Sequence, residues 1–116
     1  MALDTIEDVF YVIDTHGDLQ RWNDALLDVS GYTETELRAM DIEDFFIDGH
    51  TELVSESIAR AFATGRDTIE AVVRTKSGER IPYEFRKRRL VTDESAIALV
   101  GIGRDIADRL EQERRL

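Results

Sequence analysis

The sequence predicts an α+β domain, an antiparallel sheet with its helices gathered on one face. Three observations predict it. Two short β-rich runs near the N-terminus flank a polar cluster that contains Gly17. Three longer β-rich runs close the chain, joined by turns too short for anything but antiparallel pairing. Between the two groups lie segments with helical caps and helical apolar spacing.

Residues 3–8 read as a short helical lead-in. Val9 to Ile13 is the first strand, and Asp14-Thr15-His16-Gly17-Asp18 supplies a tight hairpin into Leu19 to Trp22. Asn23 is a helix N-cap, since its side-chain oxygen can accept an unpaired amide of the first turn. Asp24 to Val29 is helical, and Gly31 stands where a left-handed C-cap is needed. Thr33-Glu34-Thr35-Glu36 reads as a capping box opening a second short helix, with Leu37 and Met40 as its apolar contacts. Asp41 to Gly49 is irregular or a single helical turn, anchored by Phe45, Phe46 and Ile47. Thr51 to Thr64 is a clearer helix: Leu53, Val54, Ile58, Ala61 and Phe62 form an apolar stripe, and Gly65 ends it. Thr68 to Thr75, Arg80 to Val91 and Ala96 to Arg104 alternate as strands, with Ser77-Gly78 and Thr92 to Ser95 as turns. Asp105 then caps an exit helix over Ile106 to Leu116.

The length suits one domain over 1–116, divided as lead-in 3–8, core 9–104 and exit helix 105–116. No apolar run is long enough for a membrane span, and the N-terminus lacks the basic and apolar parts of a secretory signal. Cysteine is absent, which excludes disulfides, thiolate metal sites and a cysteine nucleophile, and fits a reducing, cytoplasmic setting. The 25 acidic and 15 basic residues leave a net charge of −10. Such a surface repels phosphate backbones and anionic lipid, so nucleic-acid and membrane contact are disfavoured. Lys76 and Lys87 are the only lysines. An acidic, lysine-poor surface is also the pattern of proteins from salt-loving organisms; an ordinary acidic domain is the alternative.

Three motifs carry a family resemblance. Trp22-Asn23-x-Ala25 precedes Gly31-Tyr32-x-x-x-Glu36-Leu37; Lys76-Ser77-Gly78-Glu79-Arg80-Ile81-Pro82-Tyr83-Glu84-Phe85 forms a hairpin; Val100-Gly101-Ile102-Gly103-Arg104-Asp105-Ile106 leads into the last helix. In this order and spacing they resemble the PAS family over essentially the whole chain. Ser77 and Ala107 depart from the family pattern, which commonly has Asp and Thr there. The resemblance implies a five-stranded antiparallel sheet in the order 2-1-5-4-3, with helices on one face around a cavity and a C-terminal signalling helix. It also implies a sensory or dimerisation module without activity of its own, feeding an effector in the same parent chain such as a histidine kinase or transcription regulator.

Strand alternation together with the resemblance gives the inward faces as Tyr11 and Ile13, then Ile69, Ala71 and Val73, then Tyr83 and Phe85, and finally Leu99, Gly101 and Gly103. The long helix adds Val54, Ser57 and Ile58. These are candidate cavity residues for a small ligand, with plain core packing as the alternative. Tyr11, Ser57 and Tyr83 carry polar tips inward that need partners. Gly101 and Gly103 leave an area that either a neighbour or a ligand must fill. Lys87 continues the inward register and either meets an anionic ligand or, at a strand end, snorkels to water.

No cofactor is identified. The flavin adduct of light-oxygen-voltage domains needs a cysteine, and the position matching their last-strand Gln is Gly103, so that adduct is excluded while a loosely held flavin stays open as an alternative. The position matching the axial haem His is Val54; His50, four residues earlier, reads as solvated. His16 is assigned no role. Asp41, Glu43, Asp44, Asp48 and His50 form an acidic stretch, but Phe45 and Phe46 occupy positions that a calcium loop needs for ligands and a turn glycine. No phosphate loop, nucleophile triad or metal-spaced His pair supports an enzyme. Arg104, Asp105 and Ile106 are the candidate relay to the exit helix. Phe10, Val12, Val100 and Ile102 would make an apolar outer patch, covered by Leu3 and Ile6 of the lead-in or by a second subunit in a homodimer. Ile106, Leu110 and Leu116 do not form a full heptad seam. Arg86-Lys87-Arg88-Arg89 reads as a soluble face on a strand edge, or a dock for an acidic partner.

Overall fold

The computed structural model describes residues 8–91, 93 and 95–115. Its five strands are β1 (Val9–Ile13), β2 (Leu19–Trp22), β3 (Arg66–Arg74), β4 (Arg80–Val91) and β5 (Ile97–Asp105). They form one sheet in the order β2-β1-β5-β4-β3, antiparallel at every pairing. Helices α1 (Asp24–Ser30), α2 (Glu34–Ala39) and α3 (Thr51–Thr64) lie in the chain between β2 and β3, with two 3₁₀ turns at Ile42–Phe45 and Asp48–His50. Helix α4 (Ala107–Arg114) follows β5.

The local signals act as their chemistry predicts. The Asn23 carboxamide oxygen accepts the Leu26 amide at 3.3 Å, and it also accepts the Phe10 amide at 3.0 Å. Its Nδ2 donates to the Asp8 carbonyl at 2.9 Å, so one side chain caps α1 and seals β1. Thr33 and Glu36 complete the capping box of α2. Gly31 and Gly65 end α1 and α3 at φ of 78° and 102°, where a Cβ would be strained.

Several boundaries differ from expectation. Strand β3 begins at Arg66, because Arg66 and Asp67 pair with Arg88 and Lys87, and it ends at Arg74. Strand β5 runs from Ile97 to Asp105, so Asp105 ends a strand and Ile106 is the N-cap residue of α4. The Asp105 carboxylate still serves the helix start, accepting the Ala107 amide at 2.8 Å. Helix α4 is shorter than expected, and Leu116 lies outside the described residues. The lead-in over 3–7, with Leu3 and Ile6, also lies outside them, as do Thr92 and Glu94 of the last turn.

Alternation along the strands puts one face against the helices. Tyr11, Ile13, Leu99, Tyr83, Phe85, Ile69, Ala71 and Val73 are buried there, joined by Val54, Ile58 and Ala61 of α3 and by Leu37, Phe45 and Phe46. The 3₁₀ segment is stitched to the free edge of β3: Ile47 donates to the Val72 carbonyl at 3.2 Å, and the Val72 amide donates to His50 Nδ1 at 2.9 Å. This occupies an edge that would otherwise template further strands. Among the described residues no helix is long and apolar enough to cross a membrane.

Candidate interior cavity

Between the inner face of the sheet and the helices lies a cavity of about 50 Å³. Tyr11, Ile13, Val54, Ile58, Ile69, Val73, Tyr83 and Phe85 line it, as the inward register predicts. Ser57, Ala71, Leu99, Gly101 and Gly103 are buried but lie off its wall. Reasoning from periodicity missed Val9, Leu26, Val29, Phe45 and Phe46, which also line it. Their position depends on how short helices and a 3₁₀ turn fold over the sheet, and no period in the sequence marks that.

Neighbouring rings occupy the space above the two glycines. A Cβ on Gly101 would stand 2.1 Å from Tyr11 Cζ, and one on Gly103 would stand 2.6 Å from Phe85 Cε1. Phe85 meets Tyr11 and Phe46 edge-on and stacks on Tyr83 at 5.6 Å between centroids. The rings thus rest directly on the backbone of β5.

Lys87 corrects the sequence reading. It does not snorkel; it is 5% exposed and lines the cavity. Strand β4 continues four residues beyond it, to Val91, so Lys87 is internal and has no nearby exit to water. Its Nζ donates to Ser57 Oγ at 2.7 Å, and Ser57 donates to Asp67 Oδ2 at 2.6 Å. Arg60 closes the chain of bonds, with Nε and a terminal nitrogen each 3.2 Å from an Asp67 oxygen. Arg60, helped by Ser57, holds the Asp67 carboxyl below the usual carboxylate range. Burial pushes Lys87 down to about 8, against the pull of Asp67. Ser57, expected to carry a polar tip inward that needs a partner, was the legible member of this network; Arg60, three residues on along α3, was not singled out. Asp67 was hidden because the strand was expected to start at Thr68, two residues after its actual start.

The basic cluster is also corrected. Residues 86–89 of β4 are flanked by β3 and β5, so they are not on a sheet edge. Arg86 and Arg88 face outward, and Arg89 donates to the Phe62 carbonyl at 2.6 Å. His50 is not simply solvated, since its ring accepts the Val72 amide. In the acidic stretch, Asp44 accepts the Asp41 amide and Asp48 faces Arg74 at 3.6 Å. No group of three His, Cys, Asp or Glu side chains is set to hold a metal among the described residues. Haem and flavin do not fit this interior: the cavity is far below the ~300 Å³ of a ligand pocket, and Val54 and Gly103 supply no contacting polar group.

On the opposite face Phe10 pairs with Ile102 and Val12 with Val100, and Phe10 and Ile102 are 38% and 47% exposed. At the C-terminal junction Ile106 is buried and donates to the Pro82 carbonyl at 3.0 Å. Arg104 pairs with Asp8, and Arg109 of α4 reaches Glu70 at 2.6 Å.

A sheet in this order, closed on one face by helices over a small interior, defines an α+β domain. Residues 3–111 match the family model described as the PAS fold, and the chain belongs to that family. The PAS domain of a Desulfitobacterium hafniense protein is 28% identical, covering 89% of this chain and 96% of that one, with a TM-score of 0.75. The PAS domain of a Colwellia psychrerythraea protein is 24% identical over 93% of each chain, with a TM-score of 0.78. A domain of a sensory box sensor histidine kinase/response regulator from Geobacter sulfurreducens is 23% identical, covering 87% and 85%, with a TM-score of 0.72. No curated protein matches the sequence significantly.

Proposed function

We propose that the chain is the sensory module of a larger signalling protein, in which occupancy of the interior is passed to α4 and from there to an effector. The family supports the sensory role, and the Geobacter neighbour is part of a sensor kinase. A histidine kinase is therefore the first effector class to test, and a transcription regulator the second. In this reading the domain performs no chemistry of its own.

The observation that carries the relay is the contact of Tyr11 and Phe85 with Gly101 and Gly103. Both rings line the cavity, and both rest on the strand that runs into α4. A ligand that moves either ring moves β5, because a packed interior has no slack to absorb the shift. Arg104, Asp105 and Ile106 then transmit it through the Asp8 pair, the Ala107 cap and the Pro82 bond.

The test is a panel of neutral and charged molecules of up to about four heavy atoms, since six need a cavity of about 150 Å³, screened by amide chemical shifts. Binding is expected to shift Tyr11, Phe85 and Gly101 together with residues 106–114. Asp105→Ala is expected to retain the first set of shifts and lose the second. Interior shifts that never extend to α4 would overturn the relay.

A second reading, a ligand-free dimerisation module, draws on the small cavity and on exposed Phe10 and Ile102. A tight dimer in sedimentation that binds nothing in the panel favours it.

A further inference from the structure

The interior cavity offers an occupant no polar group, because every atom that faces it is apolar. Ser30 and Lys87 reach its wall but turn their polar ends elsewhere. Ser30 Oγ accepts the Tyr32 amide at 3.3 Å, and Lys87 Nζ donates to Ser57 Oγ at 2.7 Å, so Lys87 meets the cavity with its methylenes. Tyr11 and Tyr83 contribute ring carbon. Among the described residues no fully buried side-chain nitrogen or oxygen lacks a partner. Water is held poorly in such a place: an internal water makes about three hydrogen bonds, and this wall supplies none. An ion fares worse, since it sheds its hydration and gains no partner.

What the cavity does offer is apolar contact. Val54 and Ile58 of α3, Ile69 and Val73 of β3, and the rings of Phe46 and Phe85 surround it. An empty void deprives its walls of dispersion contacts that a filling atom returns. Dry apolar voids take up apolar molecules, and one of about 150 Å³ holds benzene, with its six heavy atoms. In that proportion about 50 Å³ suits about two heavy atoms. Ile42 and Ile58 border both the cavity and a surface groove beside Asp18, Asp41 and Glu43, so these two side chains stand between the interior and solvent. The carboxylates at that groove oppose the approach of anions and leave an uncharged molecule unaffected.

We infer that the cavity takes an uncharged molecule of about two heavy atoms without hydrogen-bonding groups, a diatomic gas or a two-carbon hydrocarbon, admitted past Ile42 and Ile58. This rests on the reading of the interior as a ligand site and names the ligand class. Such a molecule touches the Phe85 ring, which rests on Gly103 of β5, so the relay needs no polar contact to start it.

The experiment titrates methyl-labelled protein with xenon, ethane, methanol and cyclohexane, and follows the methyls of Val54, Ile58, Ile69 and Val73. Xenon and ethane are expected to give saturable shifts. Methanol matches ethane in heavy atoms but carries a hydroxyl, and is expected to bind at least about tenfold more weakly. Cyclohexane is expected to leave the interior unchanged, because it needs the larger void. Dioxygen, read by paramagnetic broadening of the same methyls, tells a diatomic occupant from a hydrocarbon. Val54→Ile, checked for fold by its amide spectrum, adds a methylene to the wall and is expected to weaken ethane binding several-fold. Binding of methanol or of a charged member of the wider panel as strong as that of ethane would overturn the apolar class while leaving a ligand cavity in place. Undiminished ethane binding to Val54→Ile would put the molecule elsewhere and overturn the site. Ethane shifts confined to the interior would sink the relay and leave this inference standing. If nothing enters, the void is a packing defect, and the inference falls together with the sensory-cavity reading.

Discussion

Lys87 shows how one position depends on its surroundings. Its alternation with Tyr83 and Phe85 pointed it inward, and Ser57 and Asp67 made that burial tolerable. Its folded proton affinity, near 8, lies below the 10.5 of a free lysine. Over that interval the unfolded chain holds the proton and the folded chain has released it, so stability rises with pH. The gain begins as pH passes 8, with a limiting slope of about 1.4 kcal/mol per pH unit. Chemical denaturation from pH 7 to 9.5 is therefore expected to show a rise that Lys87→Met lacks. Near the top of that window the unfolded phenol of Tyr11 starts to ionise, which burial resists in the fold and which lowers stability; both proteins share that loss, so their difference isolates Lys87. Parallel pH profiles for the two proteins would contradict the burial of the ammonium. Gly101 makes a second case. Gly101→Ala drives a methyl into the Tyr11 ring and is expected to cost at least ~1–3 kcal/mol. Gly49→Ala meets nothing within 4 Å and is expected to be nearly neutral, so thermal melts of the pair separate close packing from a general effect of alanine.

At the scale of elements, the turns and caps were legible because their chemistry is local. Asn23, Thr33, Glu36, Gly31 and Gly65 each act within a few residues of their own backbone. Asn23 also does something its neighbours do not reveal: it joins α1 to β1 through the Phe10 amide and the Asp8 carbonyl. Asn23→Ala removes a cap and these two bonds, and is expected to cost ~2–3 kcal/mol in denaturant melts. Asn23→Asp keeps both acceptor bonds and loses the donor, so it should fall between. A cost for Asn23→Ala no larger than a cap alone, about 1 kcal/mol, would show that the β1 bonds add nothing. The end of β5 was less legible. Asp105 has the chemistry of a cap, but its strand partner Tyr83 keeps its backbone in the sheet and moves the helix start on by one residue.

For the whole molecule, a net charge of −10 on 116 residues favours expansion through self-repulsion. The surface pairs among the described residues, such as Lys76–Glu36 and Arg109–Glu70, are exposed and add little to offset it. Sodium chloride from 0.1 to 1 M is expected to raise Tm, because it screens repulsion within a Debye length that falls from about 10 to about 3 Å. A flat or falling Tm would mean that the acidic side chains are already well dispersed. The outer face adds a separate expectation. Phe10 and Ile102 stand exposed beside Arg86, so a polar residue at Ile102 should shift sedimentation toward monomer if this face joins two copies.

What the sequence determined alone was the set of elements and the faces they bury. A period of two along strands and of about 3.6 along helices is written in neighbouring residues, and caps act over three or four positions. The three motifs then marked the family and, through it, the strand order. Tertiary structure alone decided what the interior contains. That Tyr11 lies across Gly101, that Lys87 ends on Ser57 and Asp67 instead of in water, and that His50 guards the edge of β3 all join residues from separate elements. Volume and charge balance inside a closed core are sums over segments distant in the chain, and no local pattern carries them.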